Sequence, residues 1–254
     1  MISGKTKLIA LLGYPTEGFK APMIYNPWFD KKEIDAVVVP MGVTVADYPA
    51  VLASLFRLTN LHGALVTMPH KVTTTGLVDE LTPTAQIAGA CNAILRRPDG
   101  KLLGDQFDGT GFVRGVERKG CRLKGARALV LGSGGVGSAI AASLAAAGVG
   151  ELALLDAYNT ASRALGERLR HHYPQLVVST GSNDPAGFGL IVNATPMGMK
   201  DDDPMPFDIN RVAPTAFGGE VVMKAEYTPL LRAAYFGERD HGFRLNVISE
   251  SGGR

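Results

Sequence analysis

Residues 129–139 read LVLGSGGVGSA, a glycine-rich turn between an apolar run and an alanine-rich run. Its glycines stand at the GxGxxG spacing. In a strand-turn-helix unit, the first glycine of this pattern allows a tight turn, the second lets the backbone approach a pyrophosphate, and the third lets helix and strand pack closely. The helix N-terminus offers its N–H groups to the anion. The stretch predicts a Rossmann unit that binds a dinucleotide through Gly132, Ser133, Gly134, Gly135, Val136 and Gly137.

The alternative is an ordinary βαβ unit whose small residues serve close packing, and the next apolar run argues against it. This run, ELALLD, ends on Asp156, 24 residues after Gly132. A carboxylate near this spacing accepts hydrogen bonds from the adenine ribose. It would repel a 2′-phosphate, and the following Ala157 and Tyr158 supply no arginine to neutralise one. Asp156 therefore favours NAD over NADP, and Arg163 is the residue that could admit NADP.

A third strand of this half, LIVNA at residues 190–194, runs into a proline- and glycine-containing turn. Strand ends of this kind face the ligand crevice in open α/β sheets. We therefore expect the nicotinamide half of the cofactor here, although a capped loop would have the same composition. The candidate residues are Asn193, Thr195, Pro196, Met197 and Met199.

The first half of the chain alternates β-rich runs with helical patterns, which favours a parallel sheet. The predicted elements are strands at 7–13, 36–42 and 64–68, helices within 44–59 and 72–81, a hairpin across 93–108 that turns at Pro98-Asp99-Gly100, and a helix within 109–120. Since the hairpin closes the first α/β unit, we place a domain boundary near residue 104.

Composition excludes several functional classes. The net charge of +2 is scattered, unlike the basic stripe that grips a nucleic acid backbone. With no run of about 18 apolar residues, we expect no membrane association and a cytoplasmic location. Cys91 and Cys121 show no disulfide or zinc spacing and are expected to be core thiols. The run of aspartates at 201–203 is expected to be a solvated loop, and no metal site is predicted.

Two charged residues suit proton transfer. Lys71 follows the strand ALVTM within VTMPHK, at the carboxyl end where open α/β sheets bind ligands. Its neighbours Val66, Met68 and Val72 are apolar, so its ammonium needs a carboxylate nearby. Asp108, at the start of the cofactor half, could supply it. A hydride enzyme needs such a pair to move the hydroxyl proton.

The motifs VTMPHK, GACNAI, GDQFDG, GSGGVGSA, NATPMGM and TPLL occur in an order and at spacings that resemble the shikimate dehydrogenase family and its quinate-oxidising relatives. The resemblance covers about residues 7–232. It implies an α/β fold in which an N-terminal substrate domain with a mainly parallel sheet (1–104 and 226–254) is joined to a Rossmann domain (105–225), with a cleft between them. It also implies that Lys71 and Asp108 are the catalytic pair, that Thr67 and Asn92 hold substrate hydroxyls, and that NAD or NADP is the cofactor.

The chain departs from the family pattern where the substrate carboxylate is bound. The family carries two serines in an SxS arrangement, and this chain aligns Phe19 and Ala21 there. Its usual tyrosine after the strand EVV is Met223. We expect either a differently placed acid or recognition by Lys20, Tyr25 and Lys224. On the cofactor side, the usual Asn-Arg-Thr is Asp156-Ala157-Tyr158, which agrees with NAD.

The function predicted is therefore an NAD(P)-dependent oxidoreductase acting on a shikimate- or quinate-like cyclic hydroxy acid, as a monomer or homodimer. The tail after TPLL is polar and holds no glutamine that matches the family's substrate-contacting one. This favours the alternative, a catalytically weak dinucleotide-binding or regulatory member of the same fold. A third hypothesis is a Rossmann reductase that acts on an amino acid or a folate. The sequence shows no acid-base residues that would match such an enzyme.

Overall fold

The computed structural model describes residues 2–200, 202–222 and 227–233. The chain divides into two compact units, Met1–Phe107 and Asp108–Arg254. Each unit contains its own sheet.

The predicted assignment of residues 226–254 to the substrate domain stays a prediction. Residue 226 and residues 234–254 lie outside the described part of the chain, and residues 227–233 fall within the second unit. Across the described ranges, no helix has both the length and the apolar character needed to cross a bilayer.

The first unit alternates strands with short helices. Its elements are β1 (Lys7–Gly13), α1 (Ala21–Lys31), β2 (Ala36–Gly42), α2 (Tyr48–Leu55), β3 (Leu61–Val66), a 3-10 turn (Thr73–Gly76), β4 (Glu80–Leu81), α3 (Pro83–Ala88), β5 (Ala93–Arg96) and β6 (Leu102–Asp105). Helix α1, absent from the sequence expectations, is fixed to β2 by the Asn26 amide, which donates to Val38 O (3.1 Å) and accepts from Val38 N (2.8 Å).

The sheet of the first unit has the strand order β2-β1-β3-β5-β6-β4. Strand β1 is parallel to β2 and β3, whereas β5 is antiparallel to β3 and β6. The carboxyl ends of β1, β2, β3 and β6 therefore share one edge with the amino end of β5. This edge, which we call the carboxyl edge, gathers the loops that carry the predicted substrate residues.

Most of the predicted elements are confirmed. Strands β1 and β2 have the predicted bounds, and the hairpin forms from β5 and β6. The third strand lies earlier than expected, at Leu61–Val66. The helix predicted for 72–81 is wrong, since one 3-10 turn, Thr73–Gly76, leads into the short strand β4. Three consecutive β-branched threonines followed by a glycine give this segment weak helix propensity.

The second unit has the architecture that the glycine-rich stretch predicts. Its elements are α4 (Asp108–Arg118), β7 (Arg127–Leu131), α5 (Gly135–Ala146), β8 (Glu151–Leu155), α6 (Asn159–His172), β9 (Val177–Thr180), β10 (Leu190–Asn193), a 3-10 turn (Ile209–Arg211) and β11 (Phe217–Glu220). The sheet is parallel throughout, in the order β11-β10-β7-β8-β9. Its strand order reverses between β7 and β10, and open α/β sheets bind ligands at such a switch point.

Helices α4 and α5 pack against each other at a glycine. A Cβ placed on Gly109 would lie 2.0 Å from Ala139 O and 2.5 Å from Ser143 Oγ. Any side chain at residue 109 would therefore push α4 away from α5. Because Asp108 is the first residue of α4, this contact fixes the predicted catalytic carboxylate relative to the helix that follows the glycine-rich turn.

Both cysteines are buried and free, as the sequence predicts. Burial raises the pKa of each thiol, Cys91 and Cys121, to about 11. The protonated form therefore predominates at neutral pH, which suits small apolar core residues.

Candidate active site

The loop that carries Lys71 is held by backbone bonds at the carboxyl edge. Thr67 N donates to Leu12 O (2.9 Å) on β1, and His70 N donates to Thr67 O (3.0 Å), which closes the turn. Cys91 N then donates to Lys71 O (2.8 Å) from the segment before β5. Lys71 is partly buried. The backbone on both sides of Lys71 is therefore fixed by hydrogen bonds. A lysine that only solvates the surface would not need such a fixed backbone.

Asn92 is brought to the same edge by the hairpin. Val66 N donates to Asn92 O (2.8 Å) from the end of β3, and Asn92 N donates to Asp105 O (2.9 Å) at the end of β6. The side-chain oxygen of Asn92 accepts a hydrogen bond from Phe107 N (2.9 Å). The edge thus gathers the backbones of Thr67, Lys71 and Asn92. Their side chains carry a hydroxyl, an ammonium and an amide, a donor-rich set suited to a substrate with several hydroxyls.

Lys71 and Asn92 belong to the first unit, whereas Asp108 begins the second. In sequence, Asp108 follows the last residue of β6 by three positions. Its pairing with Lys71 stays a prediction.

The Phe19 ring lies at the end of β1, where the family pattern places a serine. A Cβ on Gly13 would lie 2.7 Å from Phe19 Cζ and 2.4 Å from Thr67 Cγ2, so ring and threonine flank the same glycine. Phe19 and Ala21 also pack against the apolar cluster formed by the side chains of Leu11, Phe29 and Val38. Phe19 therefore adds apolar surface beside Thr67, and Ala21 adds to the apolar cluster.

The other predicted carboxylate-binding residues are more exposed. Lys20 immediately precedes α1 and is exposed, and Tyr25 on α1 is 41% exposed. Met223 and Lys224 lie in the part of the chain that the structure does not describe. Recognition by Lys20 and Tyr25 stays a prediction.

The glycine-rich turn fits a dinucleotide pyrophosphate. Gly132 has φ 98°, and a Cβ on it would lie 2.4 Å from Ala194 O, while a Cβ on Gly137 would lie 2.0 Å from Gly132 O. By contrast, a Cβ on Gly134 or Gly135 would meet nothing within 4 Å. The backbone at the start of α5 therefore borders open space that a phosphate can enter, as the fingerprint requires.

Two further observations at this turn agree with a polar ligand. The Ser133 hydroxyl oxygen is buried with no hydrogen-bond partner in the structure. Val136 in the first turn of α5 is 37% exposed, so this turn is accessible. The predicted residues 132–137 thus come together in one cradle.

Asp156 lies beside this turn, as the sequence predicts. Its carboxylate accepts hydrogen bonds from Ser133 N (2.6 Å) and from Tyr158 N (2.9 Å), through different oxygens. Each carboxylate oxygen has a second lone pair. Asp156 therefore fixes the glycine-rich turn and retains acceptor capacity for ribose hydroxyls.

The third predicted segment, residues 193–199, is organised by a buried carboxylate that the sequence analysis missed. Asn193 is fully buried; its side-chain oxygen accepts from Thr195 Oγ1 (2.6 Å), and its amide donates to Met197 O (3.0 Å) and to Glu220 Oε1 (3.1 Å). Glu220 lies opposite Asn193 at the end of β11. In sequence, GGEVV is typical of a strand with one solvent-facing carboxylate, so nothing local marks Glu220 as buried.

Glu220 also holds the TPLL segment. Its carboxylate accepts from Val222 N (3.0 Å) and Thr228 Oγ1 (3.1 Å), in addition to Asn193. Burial raises the pKa of Glu220, and these donors offset part of the rise. One buried acid thus joins two motifs of the second unit.

We expect Glu220→Gln to lower the free energy of unfolding by about 2 to 4 kcal/mol, because an amide N–H would face buried donors that now share a carboxylate. Urea denaturation measures this change. Asp203→Asn is the matched control: Asp203 accepts from Gly198 N and Lys200 N on the same loop but is only partly buried. Equal destabilisation by the two substitutions would contradict the role of Glu220.

No group of three or more His, Cys, Asp or Glu side chains suited to a metal ion occurs among the residues that the structure describes. Asp203 of the aspartate run instead caps the loop at Gly198 and Lys200, and the pKa of its carboxyl is lowered, chiefly by the hydrogen bond from Lys200 N.

Two family models match the chain. The model of the shikimate dehydrogenase substrate binding domain matches residues 11–94, within the first unit. The model of the ThiF family matches residues 113–159, which include the glycine-rich turn.

Full-length relatives cover both units. A shikimate dehydrogenase (NADP(+)) from Rhodospirillum rubrum is 35% identical over 240 residues, or 92% of this chain and 84% of the relative. The structure of shikimate 5-dehydrogenase from Listeria monocytogenes in complex with shikimate and NAD matches with a TM-score of 0.86 and 25% identity, over 97% of this chain and 87% of that one.

Quinate dehydrogenase from Corynebacterium glutamicum, solved in complex with NAD, matches with a TM-score of 0.79 and 25% identity, over 96% of this chain and 87% of that one. The resemblance inferred from the motifs is therefore confirmed, and with it the α/β class with a substrate-binding and a Rossmann-like unit. With 35% identity to a curated relative along nearly its whole length, the chain belongs to the shikimate dehydrogenase family.

Proposed function

We propose that this chain oxidises a ring hydroxyl of a shikimate- or quinate-like cyclic hydroxy acid, and reduces the corresponding ketone, with NAD as its preferred cofactor. Membership of the family makes it an NAD(P)-dependent dehydrogenase. The observation that supports the proposed site best is the gathering of Thr67, Lys71 and Asn92 at one sheet edge by backbone hydrogen bonds.

We assign proton transfer to Lys71 and Asp108. Oxidation of an alcohol removes a hydride from carbon and a proton from oxygen. The bound nicotinamide supplies the hydride acceptor, or the donor in reverse. The Lys71 ammonium donates a hydrogen bond to the hydroxyl oxygen, and the Asp108 carboxylate accepts the proton that the oxygen releases. In the reverse direction, the same pair returns the proton to the alcohol oxygen.

The remaining substrate contacts divide into hydroxyl-binding and carboxylate-binding groups. Thr67 and Asn92 are assigned to the other ring hydroxyls. Lys20 and Tyr25 are assigned to the carboxylate, since Phe19 and Ala21 offer no hydrogen-bond donor from their side chains.

The preference for NAD rests on Asp156. Its carboxylate is anchored by Ser133 N and Tyr158 N beside the pyrophosphate cradle, where a 2′-phosphate would meet like charge. The state of assembly, monomer or homodimer, and the cytoplasmic location stay predictions.

A substrate screen tests the proposal. Purified protein is mixed with quinate, shikimate or related hydroxy acids and with NAD or NADP, and the absorbance of the reduced nicotinamide is followed. We expect turnover with at least one cyclic hydroxy acid, and a higher kcat/KM with NAD. Open-chain 2-hydroxy acids serve as controls and should give no reduction.

Binding of NADH is measured in parallel by its fluorescence. If NADH binds but no acid reduces either cofactor, the dehydrogenase proposal fails and the chain is a dinucleotide-binding member of its family. If only open-chain acids reduce the cofactor, the proposed substrate class is overturned.

A further inference from the structure

A network of buried side chains includes the residue that immediately precedes Lys71. It consists of His70, Tyr48 and Thr74, which are at most 1% exposed. The His70 and Tyr48 rings stack with centroids 4.0 Å apart and planes 2° from parallel. His70 Nε2 lies 2.8 Å from Val43 O, and the Tyr48 hydroxyl lies 2.7 Å from Thr74 Oγ1. We call these three residues the His70 network.

The direction of each hydrogen bond follows from its partners. A carbonyl oxygen accepts and never donates, so His70 Nε2 must carry a hydrogen toward Val43 O. The Thr74 hydroxyl donates to His70 O (2.8 Å), so its oxygen accepts from the Tyr48 hydroxyl. Burial raises the pKa of Tyr48 to about 12, so this hydroxyl keeps its proton at neutral pH.

The network fixes the peptide unit that leads into Lys71. The carbonyl oxygen of His70 accepts from both Thr74 N (2.9 Å) and Thr74 Oγ1, which uses both of its lone pairs. On the far side of the lysine, Cys91 N donates to Lys71 O. The Lys71 Cα is therefore held from both directions.

We propose that the His70 network is a positioning device that sets the place of the Lys71 ammonium, although none of its members contacts the substrate. This inference rests on the catalytic role proposed above for Lys71. A lysine side chain is long and flexible, so the position of its ammonium depends on a fixed Cα and backbone direction. Displacement of a catalytic group by about 1 Å can lower a rate by about 100-fold.

The 3-10 turn contains a matched pair of threonines for the test. The Thr74 hydroxyl bonds His70 O, whereas the Thr75 hydroxyl donates to Val72 O (2.8 Å) and touches no member of the network. Thr74→Val and Thr75→Val remove the same atom one residue apart. Thr74→Ser keeps the hydroxyl and should restore the function, and Tyr48→Phe removes one bond while keeping the stacked ring.

We expect Thr74→Val to lower kcat by about 10-fold with the preferred cyclic acid, while the dissociation constant for NADH stays within about twofold of wild type. Thr75→Val and Thr74→Ser should keep kcat near the wild-type value, and Tyr48→Phe should lie between. A general loss of fold would instead lower NADH binding and helical circular dichroism together with kcat. Folded Thr74→Val and Tyr48→Phe proteins with wild-type kcat would overturn the proposal.

A second readout does not need turnover. Brief acetylation followed by peptide mass spectrometry measures how fast Lys71 is labelled, with Lys20 as an internal reference. We expect Lys71 to be labelled faster in Thr74→Val than in Thr75→Val at an unchanged Lys20 rate. If the wild type oxidises no acid but this difference appears, the positioning role stands and the proposed activity fails; equal labelling would overturn the positioning role alone.

Discussion

Lys71→Ala is expected to lower turnover of the preferred cyclic hydroxy acid by about 100-fold or more and to leave the affinity for NADH near the wild-type value. The reason is chemical. Removing the ammonium leaves the hydroxyl oxygen without its fixed cationic donor while charge develops on it. NADH binding is assigned instead to the glycine-rich turn, which lies in the second unit, whereas Lys71 lies in the first.

Asp108→Asn is expected to give a loss of the same size, because an amide cannot accept the hydroxyl proton. The substitution keeps the shape of the side chain at the start of α4, so the α4–α5 contact at Gly109 should be retained. The double variant should fall little further than either single variant, since residues that act as one unit are not additive.

Steady-state kinetics with saturating NAD measures both losses. Lys101→Ala and Asp99→Asn are matched controls in the β5–β6 hairpin, where Lys101 is 58% exposed and Asp99 accepts from Lys101 N. These two proteins should retain wild-type turnover. A folded Lys71→Ala protein with unchanged kcat would remove the lysine from the mechanism.

The cofactor cradle could be predicted from the sequence because its determinants are contiguous. The three glycines, the strand before them and the helix after them stand within residues 127–146. Gly137 also has a local steric cause, because a Cβ on it would lie 2.0 Å from Gly132 O. Gly132 in addition approaches Ala194 O, a contact that only the pairing of β7 with β10 reveals.

The support around Lys71 could not be predicted in the same way. The motif VTMPHK marks the lysine, but its carbonyl is bound by Cys91 N, and its neighbour His70 is stacked on Tyr48. These partners are distant in sequence: Cys91 is placed by the pairing of β5 with β3, and Tyr48 lies on α2.

Glu220 shows the limit of reasoning from pattern. A single carboxylate in GGEVV is ordinarily solvent-exposed, whereas here it is 3% exposed at the end of β11. Its burial becomes evident once β10 and β11 are paired and Asn193 is seen opposite to it. The sequence thus identifies Asn193 and Thr195 but not the acid that orders them.

Replacing Asp156 with Ser together with Ala157→Arg is expected to raise the ratio of kcat/KM for NADP to that for NAD by about 100-fold. The wild-type carboxylate would lie close to the 2′-phosphate of NADP, where two like charges about 4 Å apart repel by about 1 kcal/mol in water and more beside a protein surface. The new arginine adds a bidentate partner for the phosphate. Steady-state kinetics with each dinucleotide gives the ratio.

The ratio, and not either kcat/KM alone, is the informative quantity. Asp156 also accepts from Ser133 N, so its loss loosens the pyrophosphate cradle and weakens both dinucleotides together. That common loss cancels in the ratio, whereas the electrostatic part remains. Raising the salt concentration should narrow the proposed preference for NAD over NADP, because salt screens the repulsion between Asp156 and a 2′-phosphate. The same ratio measured for Arg163→Ala shows whether Arg163 on α6 contributes to NADP binding. An unchanged ratio in the double variant at Asp156 and Ala157 would mean that the ribose is recognised by other residues and that any preference between NAD and NADP has another origin.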